Sequence, residues 1–264
     1  MSNLKDFGAA LRDVYVQDPC AVLPNALWKT IGRLPTFQTC IEWNAEGEMD
    51  ELRAWDQEGL HVYWNRRRDL GNSLRQITER SRFLIVHDDH FQQLDPRDFK
   101  LIKPFFRIRH VHKNISSHSL SSDFYIREAD PQRECDAISD LIGRCYEDIH
   151  PSPQEVKSWS TNPVFDPSLW IWIMDKQRNA PAALGIAEID RNVPEGSLEW
   201  IQVLPEYQGK GLGKVLVLEL LHRLKARADF TTVSGEVDNV TNPERLYRSC
   251  GFTGQDVWWL LRNK

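Results

Sequence analysis

The sequence predicts an α/β (α+β) protein, in which strands and helices alternate over the C-terminal half of the chain. One observation is a strand-like segment at residues 197–203 (SLEWIQV), which leads through a glycine-rich turn into aliphatic residues at helical spacing. The other is a succession of strand-like and helix-like segments on both sides of this junction. Such an order is typical of a sheet that is covered by helices.

The turn between this strand and helix has the composition of an anion-binding site. Pro205 stops the strand, and Gly209, Gly211 and Gly213 tolerate positive φ and a close approach to a ligand. The first amides of a helix lack intrahelical partners, and the macrodipole places partial positive charge there. Two lysines at positions 210 and 214 add positive potential, so we expect phosphate to bind at this junction.

Three phosphate-binding patterns can be compared with this turn. A Walker loop does not fit, because Gly209 and Gly213 are one residue too close and Val215 stands where Ser or Thr is required. A dinucleotide fingerprint does not fit, because Lys214 occupies the third glycine position. Residues 208–213 (QGKGLG) instead match [QR]-x-x-G-x-[GA], and they resemble the pyrophosphate loop of the GNAT acyltransferase superfamily.

The segment after this helix agrees with the resemblance. A β-rich stretch (FTTVSGEVD) precedes the sequence TNPERLYRSCGF. Asn242 suits an N-cap, Pro243 suits the first helical position and Gly251 suits the position past the helix end. We therefore expect a two-turn helix over 243–250 that contains Tyr247, followed by a last strand, DVWWLLRN.

The segments upstream complete the order expected of a GNAT domain. A strand begins at Asp123, helical apolar spacing covers 133–149, and Ser152 suits the cap of a short second helix. Two strands, LWIWIMD and AALGIAEID, follow. The order β-α-α-β-β-β-α-β-α-β over residues 122–264 resembles a whole GNAT domain, which implies a mixed central β-sheet flanked by helices.

A polar, serine-rich stretch (HKNISSHSLSSD) indicates a boundary between two domains. We place an N-terminal domain at residues 1–115, a linker at 116–122 and the GNAT acyltransferase domain at 123–264. The first domain has an α+β pattern, with a helix at 4–16 and strands at 36–43, 82–87 and 105–112. It is either a degenerate GNAT-like copy or a substrate-side domain, and it lacks a glycine turn of the kind that would bind CoA.

Composition narrows the functional classes. A net charge of −5 argues against broad binding to nucleic acid or to an anionic membrane. Five cysteines without a C-x-x-C pair fit a reduced, cytoplasmic setting, and neither a signal peptide nor a membrane-spanning segment is predicted. The spacing of HDDH at 87–90 does not define a coordination sphere, so we expect no metal. The ten tryptophans are either all in the core, or one or two line a pocket.

The GNAT resemblance implies acetyl-CoA, or a close acyl-CoA, as the donor. Backbone amides of the turn would hold the pyrophosphate, and the end of the preceding strand would bind the pantetheine arm. One asparagine of the family's N-P-x-A-x-x-L-Y segment contacts CoA; here two residues are missing before the tyrosine, so two asparagines qualify. The implied cofactor-binding residues are Gln208, Gly209, Lys210, Gly211, Leu212, Gly213 and Lys214, with Ile201 and Val203 on the strand and Asn239 or Asn242.

The chemistry of acyl transfer to an amine identifies candidate catalytic residues. An alkylamine with a pKa near ~10 is protonated at neutral pH, so a base must remove its proton. Glu199 is the first candidate and Glu188 the second, and a solvated or ion-paired carboxylate is the alternative for Glu199. Tyr247 would donate a proton or hydrogen bond to the departing CoA thiolate, unless it is a core aromatic.

Two functional classes follow from these residues. The first is an acyl-CoA-dependent N-acetyltransferase that transfers acetyl directly to an amine of a small molecule or peptide. The alternative is a non-catalytic GNAT-fold module that binds acyl-CoA as a sensor or scaffold. The acidic balance suits a cationic small molecule, while a peptide N-terminus or a lysine side chain remains open.

Overall fold

The chain divides into two compact units, each of which is discontinuous in sequence. A computed structural model describes residues 4–68, 74, 77 and 81–264. The first unit comprises Met1–Ile108, Ser234–Asn242 and Gly254–Lys264, and the second comprises Arg109–Val233 and Pro243–Thr253. The domain boundary at 116–122 stays a prediction.

The first unit is built mainly from an N-terminal group of helices and a β-sheet. Strands β1, β2 and β3 pair antiparallel, β3 pairs parallel with β4, and β4 pairs antiparallel with the last strand of the chain, β11. Next to β11 lies β5. The bounds are α1 Leu4–Gln17, α2 Pro19–Val22, α3 Leu27–Ile31, β1 Gln38–Trp43, β2 Met49–Trp55, β3 Gly59–Asn65, β4 Phe83–His87, α4 Asp88–Phe91, β5 Phe99–His110 and β11 Thr253–Asn263.

Apolar side chains hold the first unit together. On α1, Phe7, Leu11 and Tyr15 recur every four residues and are fully buried, as a helix packed by one face requires. A second cluster joins Tyr63 of β3 to Leu261 of β11, which ties the last strand of the chain to this unit.

The second unit has a mixed sheet with helices. Its strands lie in the order β10-β9-β8-β7-β6, and all neighbours are antiparallel except β9 and β10, which are parallel. The α/β fold with a mixed sheet is therefore confirmed, as is the predicted order of elements. The bounds are β6 Phe124–Glu128, α5 Cys135–Cys145, α6 Pro153–Trp159, β7 Trp170–Asp175, β8 Ala180–Asp190, β9 Glu195–Val203, α7 Leu212–Leu224, β10 Phe230–Glu236 and α8 Pro243–Ser249.

Helix α7 connects the parallel strands β9 and β10 and packs closely on the sheet. A Cβ atom at Gly185 would lie 3.1 Å from Leu216 Cδ2 and 3.2 Å from Leu220 Cδ1. At Gly196 it would lie 2.7 Å from Leu224 Cδ1. Glycine at both positions therefore lets the leucine side of α7 approach the backbone of the sheet.

Local signals explain where several elements begin and end. Ser152 Oγ accepts a hydrogen bond from Glu155 N–H at 3.2 Å while Glu155 Oε2 accepts one from Ser152 N–H at 2.7 Å, so α6 begins with a capping box. The helix predicted to reach residue 149 ends at Cys145, because Tyr146 adopts an extended backbone. Asn242, expected to cap α8, has a left-handed φ of 46° rather than the usual extended conformation of a cap.

Two buried histidines in the second unit are held in the neutral form. His112 N–H donates to His110 Nδ1 at 2.9 Å, so this ring nitrogen must carry a lone pair. The His112 ring lies 2.9 Å from Ala228 O and 2.7 Å from Thr231 Oγ1. Burial lowers the pKa of both imidazoles; the charge of His112 lowers that of His110 further, whereas Asp229 acts against the lowering at His112 and Lys225 with it.

We predict that the second unit loses stability as the pH falls below about 6.5, the unfolded-state pKa of histidine. The folded state binds protons less readily than the unfolded state there, so stability is complete above this pH and is lost below it. The free energy of unfolding should fall by up to about 1.4 kcal/mol per pH unit for each histidine. Urea unfolding between about pH 8 and pH 5 measures this slope.

The substitution His112→Gln is the matched variant, because a side-chain amide can both donate to Ala228 O and accept from Thr231 Oγ1 without titrating. It should reduce the slope while the stability at about pH 8 changes less. An unchanged slope in this variant would contradict the assignment.

Candidate functional site

The site begins where β9 leaves its parallel neighbour. Pairing with β10 runs over Glu195–Ser197, whereas pairing with β8 continues to Val203. Residues 198–203 are thus hydrogen-bonded to β8 beyond the stretch that β10 accompanies. A strand edge of this kind presents backbone N–H and C=O groups to an extended ligand.

A β-bulge lies in the same part of β9. Ile186 of β8 faces Trp200 and Ala187 faces Leu198, so Glu199 is the extra residue between them. A bulge bends the strand and redirects a side chain, and bulges are frequent next to active sites. The sequence indicated Glu199 as a candidate base, and the structure places it at this irregularity.

Two of the three glycines in the turn have the left-handed backbone that glycine tolerates. Gly209 has φ 76° and Gly211 has φ 78°, and a Cβ at either would meet no atom within 4 Å. Glycine is needed there for conformation, since a left-handed L-residue costs roughly 1–2 kcal/mol. Gly213 is different: it lies in α7, and a Cβ there would come 3.2 Å from Leu246 Cδ2 of α8. Gly213 therefore does not use the positive φ that glycine tolerates, and its lack of a side chain allows two helices to approach.

Helix α7 begins directly after the turn, so its free amides face the same place. The first helical hydrogen bond runs from Val215 N–H to Gly211 O at 3.2 Å. The amides of Leu212, Gly213 and Lys214 precede it and belong to the positive end of the helix. Lys214 is exposed on this first turn. The turn and helix start therefore form a positively polarised backbone surface.

Aromatic and charged side chains pack next to the turn. Lys210 Nζ lies 5.1 Å from the ring centroid of Tyr207 and 5.8 Å from that of Phe124. The Tyr207 hydroxyl donates to Asp175 Oδ2 at 2.9 Å and accepts from Arg178 at 3.4 Å. Lys210 and Arg178 thus bring two positive charges to one buried tyrosine at the base of the turn.

The strand residues implied in pantetheine binding lie at the start of α7. Ile201 is opposite Gly185, which faces α7, so Ile201 and Val203 share that face of the sheet. Val203 Cγ2 is 3.7 Å from the Cβ position of Gly213, next to the helix N-terminus. Gln208 has a structural contact, because its side-chain amide donates to Val203 O at 3.4 Å and ties the turn to the strand end.

Tyr247 lies on α8 with its side chain buried. Its ring meets Phe252 edge-on with centroids 5.8 Å apart. Burial raises the pKa of Tyr247 far above the ordinary value, and the nearby Tyr146, Cys250 and Glu199 raise it further. The phenol is therefore protonated throughout the neutral range, and it shares its surroundings with Glu199.

The two candidate bases differ in exposure. Glu199 is half-buried, whereas Glu188 of β8 is 5 % exposed. Glu188 pairs with Ser197 across the strands, ahead of the bulge. A base must reach the amine that it deprotonates, so the geometry favours Glu199.

Asn239 and Asn242 belong to the first compact unit. Asn239 Oδ1 accepts from Thr241 N–H at 2.9 Å and from Thr241 Oγ1 at 2.6 Å, and Asn239 O accepts from Asn242 N–H at 2.9 Å. This compact turn leads into α8. Their contact with CoA stays a prediction.

Four residues that sequence reasoning did not single out surround the bulge. Gln202 Nε2 donates to the Tyr146 hydroxyl at 2.9 Å. The ring of Trp200 stacks on that of Trp159 and meets Tyr146 edge-on. The proximity of Trp200 to Glu199 was the one available signal, since the contacts with α5 and α6 depend on tertiary structure.

The two histidines of the HDDH segment contact polar side chains elsewhere in the first unit. His87 Nε2 lies 3.1 Å from Asp256 Oδ1, and His90 Nε2 lies 3.4 Å from Asn65 Oδ1. Over the described residues no group of three or more His, Cys, Asp or Glu side chains is arranged to hold a metal ion. Nor does any helix in these ranges have the length and apolarity needed to span a bilayer.

Together, a parallel βαβ unit, a strand that continues past its parallel neighbour and a left-handed glycine turn at a helix start agree with the GNAT fold that the sequence predicted. Comparison of the sequence with protein families agrees: residues 135–252 match the acetyltransferase (GNAT) family. The similarity to GNAT acetyltransferases therefore covers residues 135–252, in the C-terminal half of the chain. No curated protein matches the sequence.

Solved structures extend the similarity to the fold of the whole chain. A GNAT-family acetyltransferase from Colwellia psychrerythraea is 14 % identical, with a TM-score of 0.67 over 100 % of this chain and 98 % of that one. A GCN5-related N-acetyltransferase from Sphaerobacter thermophilus is 11 % identical, with a TM-score of 0.67 over 90 % of this chain and 85 % of the other.

A tandem GNAT protein from the clavulanic acid biosynthesis pathway bears on the N-terminal domain. It is 12 % identical, with a TM-score of 0.60, and the match covers 97 % of this chain and 94 % of that one. At such identity the likeness concerns fold alone. It fits an additional domain ahead of the GNAT domain.

Proposed function

We propose that this protein is an acyl-CoA-dependent N-acyltransferase that transfers acetyl from acetyl-CoA directly to an amine. The observation that carries this proposal is the polarised turn from Gly209 to Lys214, which follows a strand whose far edge extends past its parallel neighbour. These features are suited to a ligand with a diphosphate followed by an extended amide-containing arm. Acetyl-CoA is such a ligand.

The side chains near the bulge support direct transfer of the acetyl group to the amine. Glu199 accepts the proton of the ammonium, and the freed amine attacks the thioester carbonyl. A backbone N–H on β9 polarises the carbonyl oxygen, and donors aimed at developing charge contribute strongly. The tetrahedral intermediate then expels the CoA thiolate, which takes a proton from Tyr247, while the second proton of the attacking nitrogen returns to the Tyr247 oxygen and leaves the neutral amide. Burial raises the pKa of the Cys250 thiol, which disfavours the thiolate that a covalent acyl-enzyme would need.

We place this reaction in the cytoplasm because all five cysteines are free thiols. The acceptor is an amine of a small molecule or a peptide. No nucleic acid, membrane or metal takes part in the proposed reaction.

We predict saturable binding of acetyl-CoA and of CoA, measured by titration calorimetry. Gly211→Ala should weaken the affinity by about tenfold, because the left-handed φ of 78° becomes strained by roughly 1–2 kcal/mol. Gly47→Ala is the matched control, since Gly47 has the same φ of 78° and equally open surroundings in the β1–β2 hairpin.

The control variant should bear a comparable loss of stability with CoA affinity intact. Absence of heat with either ligand at millimolar concentration would overturn the proposed function. Binding without transfer to any amine would indicate a non-catalytic acyl-CoA module instead.

Tyr247→Phe should lower kcat by about 100-fold while CoA affinity is retained, because the ring and its contact with Phe252 persist and the proton donor is lost. Since the pKa of Tyr247 is raised, the wild-type rate should show no loss from its ionisation at or below about pH 10. Steady-state kinetics across pH tests both statements. Tyr125→Phe on β6 is the control, and equal kinetics in the two variants would assign Tyr247 a packing role.

Glu199→Gln should lower kcat/KM at neutral pH and make the rate depend on the free-amine fraction. That fraction rises about tenfold per pH unit below the amine pKa of ~10, so the variant should recover towards wild type as the pH increases. A pH profile parallel to that of wild type would exclude Glu199 as the base.

A further inference from the structure

An aromatic wall lies beside the candidate base, on the side of the sheet away from α7. It consists of Trp200 of β9, Trp159 at the end of α6 and Tyr146 just after α5. Trp200 is paired with Ile186 of β8. The adjacent residue of β8, Gly185, faces α7, because a Cβ atom there would contact leucines of that helix. Trp200 therefore faces the other side, together with Gln202, and it follows Glu199 directly in the bulge.

The three rings of the aromatic wall are only half-buried, unlike the neighbouring core tryptophans. Trp170 and Trp172 are fully buried, whereas Trp159, Trp200 and Tyr146 keep part of their surface accessible. Large aromatic rings that are packed together but remain partly accessible are typical of ligand sites. Their contacts with each other hold them in place before a ligand arrives.

The arrangement of the rings determines which ligand group they accept. Trp159 and Trp200 stack with ring centroids 5.5 Å apart and planes inclined by 13°, and Tyr146 meets Trp200 at 78°. A cation binds over the face of an indole ring, and the stack occupies one face of each. Ring edges carry the positive end of the quadrupole, so they pair with the face of another aromatic ring rather than with an ammonium group.

Two contacts keep the wall rigid. Gln202 Nε2 donates to the Tyr146 hydroxyl at 2.9 Å, which fixes α5 to β9. Trp159 also contacts Trp170, with centroids 6.4 Å apart, and is thereby anchored to β7. A preorganised wall loses little conformational entropy on binding.

Two carboxylates lie near the aromatic wall. Glu199 precedes Trp200 in the bulge, and Asp148 is close enough to Tyr146 to raise its pKa, although burial is the larger cause. An ammonium group is therefore attracted to the carboxylate end, and an uncharged flat group fits the rings.

We propose that the acceptor is a primary amine joined by a short linker to an aromatic group, which the wall of Trp200, Trp159 and Tyr146 holds while Glu199 receives the amine. This inference rests on the proposed function and names its substrate class. The wall selects such an amine over a polyamine, because it offers apolar ring surface to the part of the acceptor beyond the ammonium group.

The test compares three amines in acetyl transfer: 2-phenylethylamine, n-butylamine and spermidine. The kcat/KM for 2-phenylethylamine should exceed that for n-butylamine by about tenfold or more, since apolar contacts in a pocket discriminate by roughly that factor. In Trp200→Leu this ratio should fall by about tenfold, and in Trp200→Phe it should be largely retained. Trp43→Leu, at a residue 61 % exposed on β1, is the control and should keep the wild-type ratio.

A binding measurement by fluorescence tests the same inference if a variant fails to fold or to turn over. Titration of the wild-type protein with 2-phenylethylamine, both with and without CoA, should quench tryptophan fluorescence, with Trp200→Phe altering the amplitude. Preference for spermidine or n-butylamine, or no quenching, would overturn the aromatic substrate class while acetyl transfer itself stands. Failure to bind acetyl-CoA would instead refute the proposed function, and quenching by 2-phenylethylamine would still decide the aromatic site.

Discussion

The second unit depends on one constraint: the parallel strands β9 and β10 pair over only three residues and then separate. After Ser197, β9 stays paired with β8 and no longer with β10, while α7 has to return the chain to the start of β10. The helix must therefore begin close to the C-terminal end of β9. The sharp change of direction requires left-handed residues, and Gly209 and Gly211 supply them without strain. The first amides of α7 then lie at this turn, which is a geometry suited to an anion.

The same strand organises two faces with different chemistry. Val203 lies on the α7 face, close to the helix start, whereas Trp200 and Gln202 lie on the opposite face. The bulge at Glu199 interrupts the alternation between them and brings a carboxylate next to the aromatic rings. In the proposed reaction a donor on one face and an acceptor on the other would meet at this irregularity, where Tyr146 and Glu199 lie close enough to Tyr247 to raise its pKa beyond the effect of burial.

Features set by local chemistry were predictable from sequence, and features set by partners were not. The glycine turn, the cap at Ser152 and the order of elements could be predicted because each depends on residues within one turn or one period. The bulge could not, because it exists only in the register of β9 against β8. The strand predicted at 105–112 instead covers Phe99–His110, and Pro104 lies within it, where its carbonyl oxygen accepts from Val237 N–H at 3.0 Å.

The interleaved membership of the two units has a consequence for synthesis. The first unit needs Ser234–Asn242 and Gly254–Lys264, so its N-terminal portion cannot finish assembling until these later residues have left the ribosome. Its N-terminal helices and first four strands must wait, partly formed, while more than a hundred residues are translated. For the same reason, no single cut in the gene would yield two self-sufficient fragments, and coexpressed pieces would have to exchange segments before either became complete.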